Sequence, residues 1–401
     1  MAFQLFDGCR LSQLPRPHSQ PMLVGIDALP LAPPLTGIGH YTFELARALA
    51  EISPADQFRL ISPFPQRHFI YQGNESEMSA NLRLTHMPRG PLRRRWWALG
   101  LPLHTLLSPL DIFHGTNYEI PVWGRCRTVV TIHDLSLMLH PDTHEAALVR
   151  RARRRLPVMA RRATMVITAT ESAKREVCEH LNIRPERIAV TPFAPRRVFR
   201  PVPSEQTTEV RRRLGVDEEF LLYVGTIEPR KNLMTLVRAF DEVMRATTDL
   251  RPQLVIAGKE GWLTDELFSF IRQEGISERV RFTGYVSEDD LCALYSACRV
   301  CIYPSLYEGF GLPPLEAMAC GAPVITTRTS SIMEAVGDAA RLFDPTDVPG
   351  LARSIIEIIN DPDARRHLSI AGRRRAAEFS WEKTARATLD VYHEALKRVG
   401  R

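Results

Sequence analysis

Short apolar runs alternate with longer amphipathic stretches along most of the chain. A run of aliphatic and β-branched residues bounded by turn residues is typical of a buried strand, and apolar positions three and four residues apart are typical of a helix. In the first half, strands are predicted at residues 22–26, 59–62, 111–114, 128–132 and 165–168, with helices at 41–51 and from Glu171 or Ser172 onward. This alternation predicts a doubly wound α/β domain.

The same alternation begins again in the second half. Strands are predicted at residues 220–224, 253–257, 280–283, 300–303 and 323–326, and helices at 233–245, 263–274, 289–297, from Pro313 onward and at 351–360. A final helix at 381–398 lies beyond the last predicted strand. The second half is therefore predicted to be another α/β domain.

The segment between the two halves is predicted to be a linker. Residues 191–208 show little periodicity and contain Pro192, Pro195, Pro201 and Pro203. The predicted units are a loose extension at 1–20, a Rossmann-like domain at 21–195, a linker at 196–208, a second Rossmann-like domain at 209–380 and a separate terminal helix at 381–401. Two such domains facing each other would hold a ligand between the carboxyl ends of their strands.

Composition is that of an ordinary globular protein. The chain has 401 residues, of which 44% are hydrophobic and 24% charged, enough for two cores of usual size. Residues 1–20 lack the apolar block of a signal peptide, and the stretch 96–110 is too short and too broken by glycine and proline to cross a bilayer. The seven cysteines suit a reducing compartment without a disulfide framework, so a cytoplasmic protein is expected.

The net charge of +6 reflects arginine clusters in the first half. Arg93, Arg94 and Arg95 precede Trp96 and Trp97, and a second cluster comprises Arg150, Arg151, Arg153, Arg154, Arg155, Arg161 and Arg162. A solvated helix face and contact with an anionic membrane both explain such clusters, because arginine is attracted to anionic lipid and tryptophan favours the bilayer interface. Nucleic acid is not expected as a partner, since no recognised motif and no interleaved aromatic residues accompany the basic run.

The segment 307–321 carries the strongest chemical signal. It follows a predicted strand and continues as a glycine loop and a helix that opens with two prolines. Glycines let backbone N–H groups approach a ligand closely, and the N-terminus of a helix attracts phosphate. Glu316 is predicted in the first turn of this helix, where its carboxylate can accept hydrogen bonds from a vicinal diol such as ribose. Glu308 lies before the loop on the same side.

These two glutamates, with Gly309, Phe310, Gly311 and Leu312 directly after the first, resemble the signature of glycosyltransferase family 4, which are retaining enzymes of the GT-B fold. The resemblance extends from about Met22 to the final helix. It implies two doubly wound domains facing each other across a cleft, the first on the acceptor side and the second binding a nucleotide-sugar. It also implies that the C-terminal helix crosses back to the first domain.

The resemblance assigns roles within this segment. Glu316 would bind the donor ribose, and Glu308 would contact the transferred sugar near its anomeric carbon. Backbone groups of Gly309 and Phe310 would hold sugar hydroxyls. The assigned donor-binding residues of this segment are Glu316, Gly309, Phe310, Gly311 and Leu312.

A second segment, at residues 224–233, contains the adjacent cations Arg230 and Lys231. Fixed cations stabilise the negative charge that develops on a nucleoside diphosphate as the glycosidic bond breaks. The family's arginine–lysine pair maps onto these two residues, and Gly225 before them is assigned to donor binding. Many family members carry a further arginine directly after this glycine, where the present chain has Thr226. The distribution of the diphosphate among its contacts therefore stays open.

The resemblance also assigns residues of the first half to the cleft. Gly37 and Gly39 correspond to a glycine loop that lies over the diphosphate and the acceptor. His133 follows a predicted strand and corresponds to a histidine that contacts the donor sugar, the alternative being a structural histidine. Asn117, in the run 114–118 at another strand end, is assigned to acceptor or diphosphate contact.

Residues 284–286 end a predicted strand of the second half. In relatives this position holds the nucleobase through backbone groups, which assigns Tyr285 and Val286 to donor binding. Tyr285 suits stacking on a purine, and it is equally well explained as a surface tyrosine.

Two metal-like motifs are interpreted as structural. Asp361 and Asp363 form an Asp-x-Asp pair, but they cap a late helix far from the strand ends. Cys298 and Cys301 lack a second cysteine pair and are predicted to be core thiols. We therefore expect no metal site and no cofactor, with the nucleotide-sugar as a substrate.

The predicted function is retaining transfer of a hexose, mannose or rhamnose, from a GDP-sugar to a lipid-linked or glycan acceptor. The combination of glycine loop, cleft histidine and cation pair looks most like bacterial mannosyl- and rhamnosyltransferases of O-antigen and exopolysaccharide assembly. Such an enzyme would lie peripherally on the inner face of the cytoplasmic membrane. A UDP-sugar-dependent transferase, a GT-B nucleotide-sugar epimerase and a non-catalytic sugar-nucleotide-binding subunit stay open as alternatives.

Overall fold

Two parallel sheets organise the chain. The computed structural model describes residues 21–33, 35–64, 79–86, 95–108, 110–246 and 251–398. The predicted extension at 1–20 lies outside the described residues. Helices cover both faces of each sheet, so the central strands are buried throughout: every residue of β4 (Ile112–Gly115) and β9 (Gln253–Ala257) is buried.

The first domain contains a seven-stranded sheet. Its elements are β1 (Leu23–Asp27), α1 (Gly37–Ile52), β2 (Gln57–Ser62), β3 (Leu82–His86), α2 (Leu101–Leu107), β4, β5 (Arg127–Thr131), α3 (Ser136–Leu139), α4 (Ala146–Arg162), β6 (Met165–Thr168), α5 (Glu171–Leu181) and β7 (Ile188–Val190). The strand order is β3-β2-β1-β4-β5-β6-β7, so the direction of winding reverses between β1 and β4. Doubly wound sheets bind ligands at such a point, outside the carboxyl ends of the strands.

The second domain repeats this plan with six strands. Its elements are α6 (Ser204–Leu214), β8 (Phe220–Val224), α7 (Leu233–Ala246), β9, α8 (Asp265–Gln273), β10 (Val280–Gly284), α9 (Glu288–Ala297), β11 (Val300–Tyr303), α10 (Leu312–Ala319), β12 (Val324–Thr327), α11 (Ser330–Val336), β13 (Arg341–Phe343), α12 (Val348–Asn360) and α13 (Pro362–Ala376). The order β10-β9-β8-β11-β12-β13 places the reversal between β8 and β11.

The last helix, α14 (Trp381–Lys397), packs on the first domain beside α1. The Trp381 indole donates to the Pro195 carbonyl at 3.1 Å, and the Thr384 hydroxyl donates to the Pro192 carbonyl at 2.6 Å. At the far end, the Tyr392 hydroxyl lies 2.7 Å from His114 Nδ1, both side chains being buried. The predicted crossing of the C-terminal helix back to the first domain is confirmed.

Several boundaries differ from the predicted ones for local reasons. Helix α6 begins at Ser204, inside the segment predicted to be linker. Pro203 is the last proline of that segment, so the residues after it are free to form a helix. The short edge strands β3, β7 and β13 were not predicted, since three to five residues carry little periodic signal. Helix α13 was also not predicted, because its many arginines leave only a weak apolar stripe. The Asp361 carboxylate caps this helix by accepting from the Asp363 and Ala364 amides.

The tryptophan pair does not form the interfacial surface that the membrane interpretation of the arginine cluster requires. Trp96 is buried in the core of the first domain, only 5% exposed, and Trp97 is half-buried. Arg93 and Arg94 lie outside the described residues, and Arg95 is exposed. In the described part of the chain, no helix has both the length and the apolar character needed to cross a bilayer.

Candidate active site

A buried ion cluster lies where the second sheet reverses. Lys231 ends a 3-10 turn (Pro229–Lys231) after β8, and Glu308 lies in the loop after the neighbouring strand β11. The Lys231 ammonium lies 2.5 Å from Glu308 Oε1, and Arg230 Nη1 lies 3.1 Å from Glu308 Oε2. The two cations predicted for the diphosphate and the glutamate predicted for the sugar are therefore neighbours.

A tyrosine and a second glutamate complete this cluster. Lys231 donates to the Tyr303 hydroxyl at 2.7 Å, and that hydroxyl donates to Glu308 Oε1 at 2.9 Å. Glu228 accepts from Arg230 at 2.8 Å. Burial would raise the pKa of Glu308, but Arg230 and Lys231 hold it to about 2. Glu308 is therefore a carboxylate at any pH at which the protein functions.

Arg230 retains an unused donor. Its Nε–H is buried, and no acceptor for it is present among the described residues, while its Nη1 also donates to the Tyr307 carbonyl at 2.9 Å. Buried N–H groups in folded proteins nearly always have a partner.

The loop after Glu308 contacts the first domain. The Tyr307 hydroxyl accepts from the Leu135 amide at 3.1 Å and donates to Glu176. A β-carbon at Gly309 would lie 1.7 Å from the His133 carbonyl oxygen, so only glycine permits this approach. Glycine at this position therefore has a structural reason, the packing of the two domains, independent of any sugar contact.

His133 is placed at the domain boundary as a neutral side chain. Its Nε2 donates to the Thr116 carbonyl at 2.7 Å, because a carbonyl can only accept. This contact leaves Nδ1 as the acceptor nitrogen. Burial lowers the pKa of His133. The ring also packs against Tyr41 and Phe193. The His133 ring therefore offers its Nδ1 as a hydrogen-bond acceptor, while its Nε2–H is used by the Thr116 carbonyl.

Glu316 is buried on α10 and is paired with an arginine. Helix α10 starts at Leu312, so Glu316 is its fifth residue and lies just beyond the first turn in which it was predicted. Gly311 caps the helix with φ +103, a left-handed conformation that favours glycine. Arg196 Nε donates to Glu316 Oε1 at 2.8 Å. Burial raises the pKa of Glu316, and Arg196 opposes this rise.

Two other predicted donor-binding residues have structural partners. The Phe310 side chain is buried between Phe193 and Phe379, with ring centroids 5.4 and 5.7 Å away. The Gly225 amide donates to the Ala257 carbonyl at 2.9 Å, so this N–H is already used. The resemblance assigned backbone groups of Phe310 to the sugar, and burial of its ring does not affect that assignment. Any donor contact of Gly225 is limited to atoms other than its amide N–H.

The predicted glycine loop is the first turn of α1. Gly37 opens this helix and is exposed, and Gly39 is buried where a β-carbon would meet the Pro30 carbonyl at 2.5 Å. The helix was predicted to begin later, at Tyr41, because two glycines within six residues weaken helix propensity. The N-terminus of α1 nevertheless supplies free amides and a partial positive charge at the carboxyl end of β1.

The run 114–118 divides into two parts. His114 is fully buried, and its Nε2 contacts Thr131 at 2.8 Å while Nδ1 contacts the crossover helix, so it is structural. Asn117 lies beyond the end of β4 and is half-buried. Only Asn117 of these two can reach a ligand at the sheet edge.

The predicted nucleobase segment lies at the surface. Tyr285 is 69% exposed, and Val286 is half-buried against the core of the second domain. Both follow β10 at the carboxyl edge of the sheet, on the same side as α10. The exposed ring is consistent with both interpretations of Tyr285.

Sequence reasoning missed five residues that border the site. They are Tyr303, Glu228, Arg196, Glu288 and His40. Glu228 is adjacent to the cation pair and could have been noticed as its counter-charge. Arg196 lies in a proline-rich segment far along the chain from Glu316, and no local pattern indicates that contact. The structure shows no group of three or more histidine, cysteine, aspartate or glutamate side chains arranged for a metal ion in the part of the chain that it describes.

Comparison with known proteins agrees with this arrangement. The family model for glycosyl transferases group 1 matches residues 206–375, and the model for glycosyltransferase family 4 matches residues 35–193. The O-antigen chain mannosyltransferase B of Escherichia coli is 32% identical over 375 residues, which cover 90% of this chain and 97% of that protein.

Solved structures share the fold. Sucrose-phosphate synthase of Thermosynechococcus elongatus has a TM-score of 0.70 at 22% identity, covering 94% of this chain and 98% of that one. WaaG, a glycosyltransferase involved in lipopolysaccharide biosynthesis, has a TM-score of 0.69 at 16% identity, covering 92% and 99%. With two facing doubly wound domains, a returning C-terminal helix and matches along both halves, the chain belongs to glycosyltransferase family 4 and is a glycosyltransferase of the GT-B fold.

Proposed function

We propose that this glycosyltransferase transfers mannose, or a related hexose such as rhamnose, from a GDP-sugar to a lipid-linked or glycan acceptor during assembly of a cell-surface polysaccharide. The E. coli relative is named for mannosyl transfer to the O-antigen chain, and it aligns over nearly the full length of both proteins. An exopolysaccharide is the other product class that this proposal includes.

One observation carries the proposal: Arg230 and Lys231 lie side by side at the reversal point of the second sheet, with side chains 12% and 11% exposed, and both contact Glu308. Both cations are preorganised by Glu308, which lowers the cost of reorganisation when charge develops on the leaving diphosphate. The N-terminus of α1 in the first domain supplies a second anion-binding element.

We assign retention of configuration to a front-face displacement. The bond between the anomeric carbon and the diphosphate oxygen breaks, and a bond from the acceptor oxygen forms on the same face. The acceptor hydroxyl proton passes to the departing phosphate oxygen. Glu308, whose pKa is about 2 and whose oxygens face Lys231 and Arg230, is a weak base here. We therefore assign it to steadying the cations and the sugar.

His133 fits this scheme as an acceptor for a donor-sugar hydroxyl. Its neutral ring, fixed by the Thr116 carbonyl, directs one lone pair away from that contact. Asn117, at the end of β4, is placed to bind either the diphosphate or the acceptor. Both residues belong to the first domain, and the backbone of His133 already packs against Gly309 of the second domain.

The test of the donor is a thermal-shift panel with GDP, UDP, ADP and their sugars. We expect GDP and GDP-mannose to raise the unfolding temperature most, because a ligand at free concentration L that binds only the folded state stabilises it by RT ln(1 + L/Kd), which is largest for the ligand with the lowest Kd. A larger shift with UDP would transfer the proposal to a UDP-sugar. The absence of any shift with all three nucleotides would contradict it.

We further propose that the first domain contacts the anionic lipids on the inner face of the cytoplasmic membrane. The α4 basic face, defined as Arg150, Arg153, Arg154, Arg161 and Arg162, comprises five exposed arginines along the helix. A sixth, Arg151, is also exposed but pairs with Glu119. Leu148 and Val158 on the same helix are 45% and 37% exposed. Arginine beside exposed aliphatic side chains suits a lipid headgroup layer.

A cavity of about 630 Å³ adjoins this face. Its described lining includes no acidic residue, and it contains Trp123, Arg127, Arg161, Arg162, Arg184, Arg187 and Arg398. Trp123 is 41% exposed and donates its indole N–H to the Ala98 carbonyl. An aromatic ring at the rim of an arginine cavity adds a second interfacial anchor.

Replacing Arg153 and Arg154 by glutamine should weaken binding to phosphatidylglycerol vesicles by about 2 kcal/mol in total, since each arginine near an anionic surface contributes about 1 kcal/mol. Cosedimentation at low salt measures this effect. The control is Arg366→Gln with Arg374→Gln, two exposed arginines on α13 of the second domain. If both double variants sediment equally with the vesicles, the α4 basic face does not bind the membrane and is a solvated surface.

A further inference from the structure

One arginine of the interdomain linker reaches three elements around the proposed donor site. Arg196 lies beyond β7 and before α6, and its side chain is only 12% exposed. Its Nε lies 2.8 Å from Glu316 Oε1, and its Nη2 lies 3.4 Å from Glu316 Oε2. The edge of the guanidinium thus faces the Glu316 carboxylate, which we propose binds the donor ribose.

The opposite side of the guanidinium contacts the two neighbouring elements. Nη1 donates to Glu288 Oε1 at 2.5 Å, and Glu288 is the first residue of α9, two positions after Val286. Nη1 also lies 3.2 Å from the His40 ring, in the first turn of α1. Burial first, and Arg196 second, lower the pKa of His40 to about 4, so this ring is neutral and can accept.

We propose that Arg196 is a positioning residue for the donor: it holds the Glu316 carboxylate ionised and oriented toward the nucleoside ribose. This inference rests on the proposed role of Glu316. A carboxylate has about four lone-pair sites, and the edge-on arginine occupies one on each oxygen. The other two remain for the vicinal hydroxyls of a ribose.

Charge explains why such a residue is needed. Glu316 is 6% exposed on a largely apolar helix, and burial disfavours the ionised form of a carboxyl group. Among the described residues, the groups that interact electrostatically with Glu316 are Arg196, Glu288, Tyr295 and Cys320. Arg196 itself also faces His40 and Glu44. Arg196 is the one cation among them, because His40 is neutral. Without Arg196, Glu288 would further disfavour ionisation of Glu316.

The test is the pH dependence of GDP affinity, measured by calorimetry from about pH 6 to about pH 8.5 with UDP in parallel. In the unchanged protein we expect only the change that ionisation of the terminal phosphate of GDP produces at about pH 6, and each variant is compared with this profile. In Arg196→Gln the pKa of Glu316 should rise, because the neighbouring positive charge is lost. GDP affinity should therefore fall about tenfold at the acid end of the range, the scale of one charge-assisted hydrogen bond. It should recover toward the alkaline end, where Glu316 ionises again. Arg196→Lys, which keeps the charge, should restore most of the affinity at the acid end.

The matched control is Arg197→Gln. Arg197 is the next linker residue, and it pairs with Glu51 at 2.6 Å on the surface, 46% exposed. The Arg197→Gln variant should have the same pH dependence of GDP affinity as the unchanged protein. Steady-state kinetics add a second readout: Arg196→Gln should raise the donor KM with little change in kcat, since ribose is held equally in the ground and transition states.

A double variant separates the possible failures. If Arg196 acts through Glu316, adding Arg196→Gln to Glu316→Ala should weaken GDP binding no further. Should Glu316→Ala weaken binding while Arg196→Gln matches Arg197→Gln at every pH, the positioning role is wrong and the ribose assignment survives. If Glu316→Ala leaves both nucleotides bound normally, the ribose assignment fails and the role of Arg196 fails with it.

Discussion

Replacing Lys231 by methionine should lower kcat about 100- to 1,000-fold, the usual effect of removing one preorganised donor from a charge-stabilising site. The ammonium lies 2.5 Å from Glu308 and donates to Tyr303, so its position is set before any donor arrives. Its contribution grows as the diphosphate departs, and the loss should therefore appear in kcat more than in the donor KM. Steady-state assay with saturating donor measures it.

Two further measurements separate lost chemistry from lost structure. Lys397→Met removes an exposed lysine at the end of α14 and should leave turnover unchanged. In Lys231→Met, GDP should still raise the unfolding temperature, because Glu316 is intact and Arg230 still pairs with Glu308. Normal turnover in a Lys231→Met protein that binds GDP would remove this lysine from the reaction.

Glu316→Ala should weaken GDP binding by about 1.5–3 kcal/mol, the contribution of hydrogen bonds to a charged group, which corresponds to a rise in Kd of about 10- to 160-fold. The carboxylate is buried, so its removal takes from the ribose hydroxyls an ionised acceptor that is shielded from solvent, and a neutral water is a weaker replacement. Calorimetric titration with GDP measures this change in Kd directly.

The control for this variant is Glu266→Ala, which removes an exposed glutamate from the first turn of α8. Its GDP affinity should equal that of the unchanged protein. Because the ribose contact persists through the reaction, kcat at saturating donor should change little in Glu316→Ala. Unaltered GDP affinity in this variant would defeat the ribose assignment.

The cation pair and its glutamate illustrate how far sequence reasoning extends into a site. Arg230, Lys231 and Glu308 stand at the ends of predicted strands, and parallel strands place their carboxyl ends at one edge. Their proximity was therefore predictable, whereas their mutual ion pairing was not. The distances between charged atoms depend on the 3-10 turn at Pro229–Lys231 and on Tyr303, which no sequence pattern connects to them.

Gly309 and Trp96 show why other predictions were incomplete or wrong. A glycine in a loop is compatible with ligand approach and with backbone packing, and only the position of His133 in the other domain shows that packing alone requires it. Trp96 follows three arginines, and the membrane interpretation of that cluster placed it at a bilayer interface, yet it fills the core of the first domain. Neighbouring residues in sequence can face opposite environments on a helical turn.

The alternation of the longer strands and helices and the division into two α/β halves followed from periodicity in the chain alone, whereas the edge strands β3, β7 and β13 and helix α13 did not. The family and the main charged residues followed from motifs that resemble those of known glycosyltransferases. The contacts of Arg196 with Glu316, Glu288 and His40, and those of His114 with the crossover helix, required the folded structure. These pairs lie roughly a hundred or more residues apart, and their proximity is set by how sheets, linker and terminal helix pack, which local sequence preferences do not encode.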